Sequence, residues 1–316
     1  MPVFRRRKGS RPRLAPELDD TDLGRVRQRL ETSWVRGELD TTVIAQVSRV
    51  IEDAGEDWDR KAHRLSVLAA AAGRALPGIF RRHHPRDQGA LLLHAWSELA
   101  QAGTHGPAVD LSDARETCRL AAELVPADPT PWAVHLATLR REQRPHRELS
   151  AIWQEIMARD PWNREAYFQV LGYLSPDECG SAVQLLDLLD SVRGRMPADA
   201  PTVGLELTAI VRGHQRTMAS GGLEAISAGD YWRRHEVAPV LDQAAQDWPR
   251  PGFLGHAAAL ADLNVLAYAL VKSGRTSEAA TALRATTGVV TPWPWNAEGD
   301  PLERFSHAYE RLTATV

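Results

Sequence analysis

Histidines and carboxylates are the residues in this chain whose spacing would reveal metal or acid–base chemistry. The 316 residues hold eleven histidines. None forms an H-E-x-x-H or H-x-x-x-H pattern, which would set two imidazoles on one helix face to grip a metal. His83-His84 is the one adjacent pair, flanked by Arg81, Arg82 and Arg86. Adjacent positions on a helix point about 100° apart, so the pair is a poor two-ligand site and reads as a solvated loop. A metal-dependent hydrolase or transferase built around His83 and His84 stands as the alternative reading. Glu52-Asp53 and Glu56-Asp57-Asp59 make an acidic cluster without the glycine-centred spacing of a calcium loop, suited to helix capping. Of the three lysines, Lys8, Lys61 and Lys272, none follows a glycine, so there is no Walker loop. G-x-G-x-x-G and the G-x-S-x-G elbow are also missing. The reading is therefore non-enzymatic, with no catalytic residue, metal ligand or cofactor assigned.

Recognition chemistry is better represented. Ten tryptophans are present, and Trp96, Trp132 and Trp153 fall on apolar stripes that belong in a core. Trp293-Pro294-Trp295 stands apart, placed to staple a last short helix over an open end. Arg5, Arg6, Arg7 and Lys8 form a basic run that offers itself to nucleic acid or an anionic surface. A nucleic-acid-associated regulator using that arm is a further alternative, although a solubilising tail is the favoured reading. Net charge is −3 and the first thirteen residues carry six basic groups and no acid, so the remainder is acidic and lacks a phosphate-neutralising stripe. Nucleic acid is not expected to bind elsewhere. Two cysteines, Cys118 and Cys179, are too few for a secreted disulfide framework. No segment approaches the roughly 18–20 apolar residues of a membrane-spanning helix, and no apolar run follows the basic start. The chain reads as cytoplasmic.

The elements that must position such residues are helices. Asp40 precedes Val43, Ile44, Val47, Val50 and Ile51, and Asp57 precedes Leu65, Leu68, Ala69 and Ala72, ended by Gly73 and Pro77-Gly78. Leu111, Ala114, Cys118, Ala121 and Val125 form another stripe. Leu149, Ile152, Trp153, Ile156 and Met157 follow the helical period, as do Tyr167, Val170, Leu171 and Leu174. Val289-Val290 is the best strand candidate and is too short. Residues 1–19, with Pro2, Pro12 and Pro16, read as a basic disordered arm, 20–85 as a less regular helical region, and 86–316 as a repeat region with a C-terminal cap.

The repeat reading rests on particular residues. Pro126-Ala127-Asp128-Pro129 and Ala158-Arg159-Asp160-Pro161 recur 32 residues apart, with Glu123, Leu124, Leu136 and Leu139 matching Glu155, Ile156, Phe168 and Leu171. Leu263 to Leu270, then Ser273-Gly274-Arg275, Glu278-Ala279 and Leu283, resembles a tetratricopeptide repeat: small residues where helices meet and glycine at the turn. The Asp-Pro segments are also similar to a group of uncharacterised actinobacterial repeat proteins. The resemblance implies an all-α fold of antiparallel helix pairs stacked as a right-handed solenoid, whose first helices line a concave groove for a protein or peptide. In that groove Asn264, Tyr268 and Lys272, at i, i+4 and i+8, would present an amide, an aromatic and a cation, and Glu165 and Gln169 would stand similarly. The expected function is a scaffold or adaptor.

Overall fold

The computed structural model describes residues 11–36, 41–73, 75–103, 110–221 and 228–314. Sixteen α-helices account for most of them, and the described residues contain one two-residue parallel strand pair. No described helix is long and apolar enough to cross a membrane. The chain divides into two units, one of residues 20–205 and one of residues 206 onward joined by the segment before Asp20.

The unit 20–205 contains α1 (Thr21–Arg36), α2 (Thr41–Glu52), α3 (Trp58–Ala71), α4 (Ala75–His83), α5 (Gln88–Gln101), α6 (Ser112–Leu124), α7 (Thr130–Arg141), α8 (His146–Met157), α9 (Arg164–Tyr173) and α10 (Ala182–Val192). Helix α5 is its hub. It buries Ala90, Leu91, Leu92, Leu93, Ala95 and Trp96 and packs on α2, α3, α4, α6 and α7. An apolar stripe wider than one face lets one helix serve five neighbours. Asp57 caps α3 through Arg60 N–H, and Asp87 caps α5 through Ala90 N–H. Of the residues expected inside α2 and α3 all are buried except Ile44, which is half-buried. In the α6 stripe Leu111, Ala114, Cys118 and Ala121 are buried, whereas Val125 is exposed. Pro77-Gly78, expected as a breaker, lies inside the first turns of α4, where proline's missing N–H leaves no bond unmade.

The two Asp-Pro turns share one local geometry. Asp128 Oδ1 accepts from Thr130 N–H at 2.7 Å, and Asp160 Oδ1 accepts from Trp162 N–H at 3.2 Å. The helix caps themselves fall later than the aspartates, at Pro129 for α7 and at Asn163 for α9. Asn163 is fixed in turn by Asp160, whose Oδ2 accepts from its Nδ2 at 3.0 Å.

The second unit holds α11 (Leu205–Ser220), α12 (Ala228–Tyr231), α13 (Ala238–Asp247), α14 (Ala259–Lys272), α15 (Thr276–Ala285), a 3₁₀ turn (Trp295–Glu298) and α16 (Pro301–Thr313). Strands β1 (Arg13–Leu14) and β2 (Val289–Val290) pair in parallel, Arg13 opposite Val289. Ala15, Glu17 and Leu18 are buried, and Ala15 and Leu18 pack with Val289, Leu260 and Ala261. The part of the expected disordered arm from residue 11 to 19 is therefore built into this unit, because Val289-Val290 needs a backbone partner and finds one there. The partition also differs from the expected boundary at 86: α5, just after it, packs directly on α3 and α4, just before it.

Helices α14 and α15 form an antiparallel hairpin with Ala267 and Ala279 fully buried. Gly274 closes α14 at φ +75°, with Gly274 N–H donating to Val271 O and Arg275 N–H to Leu270 O. The same double bond closes α7, Gln143 N–H to Arg140 O and Arg144 N–H to Leu139 O, but the left-handed position is Gln143 at φ +54°. A side chain there costs about 1 kcal/mol that glycine does not. Gln143→Gly should raise stability by roughly 0.5–1 kcal/mol in urea unfolding, and Gly274→Ala should lower it by about the same. No neighbour would crowd a Cβ at 274, so that loss is backbone strain alone.

Candidate functional site

Three helices of the unit 20–205 frame an open aromatic groove. Helix α8 contributes His146, Ser150, Trp153 and Met157; α9 contributes Tyr167, Val170 and Tyr173; α10 contributes Gln184, Asp187, Leu188 and Ser191. Trp162, from the second Asp-Pro turn, completes the wall, and the cavity measures about 680 Å³. The α8 stripe explains its construction. Leu149 and Ile156 are buried, but Ile152, Trp153 and Met157 are half-buried, so Trp153 lines the groove instead of filling the core as its spacing suggested. Tyr167 is the floor. Trp153 meets it edge to face at 4.8 Å, and Trp162 stacks on it at 5.8 Å. Such pairs hold their own geometry, so the surface is pre-formed.

Polar groups, His146, Ser150, Gln184, Asp187, Ser191 and Arg195 among them, are set around the aromatic wall. Burial pushes the Tyr167 and Tyr173 phenols up, keeping both neutral, and Tyr173 Oη donates to Arg144 O at 2.9 Å. Arg195 is tied to Ser191 O, its Nε donating at 2.6 Å. Asp187 is exposed and has no ion-pair partner among the described residues. Beyond the rim, α10 carries Val183 at 67% and Leu186 at 53% exposure, so the apolar surface continues outside the cavity.

The residues expected to line a groove are placed elsewhere. Tyr268 is 2% exposed and Asn264 is fully buried. Tyr268 packs edge to face on Trp295, and its hydroxyl donates to Glu298 Oε1 at 2.7 Å. Burial and that bond push its phenol up. Lys272 Nζ pairs with the other oxygen of Glu298. Asn264 spends its whole amide on the chain: Nδ2 donates to Leu260 O at 2.8 Å and Val289 O at 3.0 Å, while Oδ1 accepts from Trp295 Nε1 at 3.0 Å and Thr291 N–H at 3.3 Å. The expected peptide-facing stripe is thus occupied by residues 289–298 of the same chain. Trp295 does staple the last helix, meeting Phe305 of α16 edge to face at 5.3 Å.

Glu165 and Gln169 also face inward. Gln169 Nε2 donates to Glu165 Oε1 at 2.7 Å, and Arg140 of α7 joins Gln169 to Glu178. Burial raises the Glu165 carboxyl. The groove uses the other flank of α9, through Tyr167, Val170 and Tyr173. Arg5, Arg6, Arg7 and Lys8 lie outside the described residues.

His83 and His84 stand exposed at the end of α4, and His84 packs on Phe80. A different histidine gathers acids. His94 Nε2 lies 3.5 Å from Glu98 Oε1 on α5 and 3.1 Å from Asp113 Oδ2 on α6. Arg81 Nη1 donates to that same Asp113 oxygen at 2.7 Å. Burial raises the Glu98 carboxyl, with His94 opposing and Asp113 adding to the rise. An H-x-x-x-E step on a helix with an aspartate opening the next was its sequence signal.

Comparison with known protein families, curated proteins and solved structures finds no match for this chain.

The Asn264 network yields a clear test. Asn264→Ala would leave Val289 O, Thr291 N–H and Trp295 Nε1 buried without their partner, each costing about 1–3 kcal/mol. The C-terminal unit should lose on the order of 3 kcal/mol or more by thermal unfolding. A loss under about 1 kcal/mol would mean that Asn264 does not hold the terminal segment.

Proposed function

We propose that this chain is a non-enzymatic helical-repeat adaptor that binds a peptide or protein segment in the aromatic groove of α8, α9 and α10. The observation that carries the reading is the groove itself: an open, pre-formed cavity walled by Trp153, Trp162, Tyr167 and Tyr173. Aromatic side chains give large contact area for little lost rotamer entropy, which is why they anchor interfaces. The apolar surface runs on through exposed Val183 and Leu186, which favours a macromolecular ligand over a small molecule enclosed by the cavity. Asp187 at the rim, with no ion-pair partner among the described residues, favours a segment carrying a basic residue beside a large apolar or aromatic anchor.

A tetratricopeptide-like arrangement is part of this proposal. It is supported by the repeated Asp-Pro turns, by the succession of contacts α3 to α5, α5 to α7 and α7 to α9, and by α6 and α8 each packing against α7. The glycine-closed hairpin of α14 and α15 supports it in the second unit. A cytoplasmic setting fits the two free cysteines, Cys118 buried and Cys179 exposed. The binding surface in this reading differs from the one the repeat resemblance implied, since Asn264 and Tyr268 are spent internally.

The experiment is selection of a displayed random-peptide library on the purified chain, followed by calorimetry with the synthetic winners. Enriched peptides should share an aromatic or large aliphatic anchor next to Lys or Arg. Trp153→Ala should weaken them about thirtyfold, equivalent to roughly 2 kcal/mol, with helical circular dichroism retained. Asp187→Asn should cost less, and more at low salt than at high salt. Peptides that bind Trp153→Ala and Trp162→Ala as tightly as the native chain would place the binding surface elsewhere.

A further inference from the structure

The triad on α5 and α6 is outside the groove and is independent of it. We propose that His94, Glu98 and Asp113 form a binding site for a divalent transition-metal ion, zinc above all. The three ligand atoms come from two packed helices and all lie within 4.8 Å of one another. Zinc bonds of about 2.1 Å at tetrahedral angles put neighbouring donors about 3.4 Å apart. The His94–Glu98 and His94–Asp113 separations, 3.5 and 3.1 Å, bracket that value. The two carboxylate oxygens, within 4.8 Å of each other, need only draw together by rotation of the Glu98 and Asp113 side chains to close on an ion.

The donor chemistry narrows the ion. One imidazole and two carboxylates suit zinc or manganese, while calcium takes oxygen donors and gains little from a histidine. The imidazole is the least movable member. His94 sits on the hub helix with its side chain 16% exposed, and Glu98 follows one turn later on the same face. Asp113 opens α6 and is more exposed, so it can adjust last.

Arg81 is the feature that must be reconciled with a cation. Its guanidinium spans both Asp113 oxygens, Nη1 to Oδ2 at 2.7 Å and Nη2 to Oδ1 at 3.4 Å. A carboxylate has lone pairs for both partners, so Asp113 can give Oδ2 to the ion while Oδ1 keeps Arg81. With neutral His94, the two carboxylates and Arg81 sum to one negative charge before the ion enters. Three protein donors leave the remaining position of a tetrahedral ion open. The adjoining cavity, bounded by Arg81, Arg82, Gly78 and Pro85, gives water or an anion room to occupy it. Nothing in this arrangement uses His83 or His84.

The test is calorimetric titration of the full chain, freed of metal by a chelator, with zinc chloride, manganese chloride and calcium chloride at neutral pH. One zinc should bind per chain, saturably below roughly 100 μM. Manganese should bind more weakly, following the order of divalent-metal affinities, and calcium not measurably. His94→Gln should weaken zinc at least tenfold. Asp113→Asn should do the same, and its exposed position leaves the fold intact, so the test survives if the His94 variant misfolds. His83→Gln with His84→Gln should bind as the native chain does. Absence of saturable zinc binding overturns the proposal. So does native-like binding by a folded His94→Gln or Asp113→Asn variant, or loss of binding in the His83/His84 variant.

Discussion

The unit that carries the groove is organised around one buried ion pair. Lys61 Nζ of α3 reaches Asp128 Oδ2 at 2.5 Å, and Asp128 is fully buried. Two charges out of water are costly unless every remaining bond is made. Here they are shared out: Lys61 also donates to Gln88 Oε1 at 2.8 Å, Asp128 Oδ1 takes the Thr130 N–H, and Gln88 Nε2 reaches Ala121 O at 3.4 Å. One lysine thereby fixes α3, the start of α5, the end of α6 and the turn into α7. Those are the elements that set α5 as hub and α7 as the support of α8 and α9. Apolar packing alone tolerates sliding, whereas a charge pair with defined partners penalises every other register.

The second unit solves the same problem with a neutral group. Asn264 sits in the run Asp262–Leu270, which is buried throughout, and its amide makes four bonds to α14 itself, β2 and the terminal segment. An amide costs less to bury than a charge and offers donors and acceptor together. That suits a place where a strand end, a loop and an indole must be held at once. Tyr268 and Lys272 extend the same seam, both closing on Glu298, so one flank of α14 is a clamp for the chain's own C-terminal segment.

These seams explain what was legible in the sequence. Helices, the Asp57 cap of α3 and the glycine-closed turn of α14 are local, and local chemistry is written in consecutive residues; the caps of α7 and α9 fall at Pro129 and Asn163, past the aspartates expected there. The direction in which Tyr268 points is not. Helix α14 buries every residue from Asp262 to Leu270, the polar Asn264 and Tyr268 with the apolar ones, so its period cannot tell a ligand-facing stripe from one covered by a later segment. The docking of Arg13-Leu14 on Val289-Val290 spans nearly the whole chain and has no periodic signal at all. The His94 triad lies between: two members were visible as a helix step, and the third depended on how α6 meets α5. The groove was hidden differently. Trp153 and Tyr167 carry the same spacing whether a tryptophan fills a core or forms a wall, and only the position of α10 decides.

That position is the point at which stability and recognition part company. Helix α10 reads Ala-Val-Gln-Leu-Leu-Asp-Leu-Leu-Asp-Ser-Val, apolar on more than one side, yet only Leu189 and Val192 are buried. A helix of this composition would normally be enclosed. Closing α10 onto α8 would bury more of Trp153 and fill the 680 Å³ groove, at the cost of desolvating the polar wall groups His146, Ser150, Gln184, Asp187, Ser191 and Arg195. The open arrangement leaves stabilising contact unmade along Trp153, Leu186 and Val183 together. In the proposed reading a bound segment would supply that contact, while Trp153 and Trp162 packed on Tyr167 hold the wall in shape. On the proposed reading, the apolar excess of α10, buried only at Leu189 and Val192, is accounted for by association with a ligand.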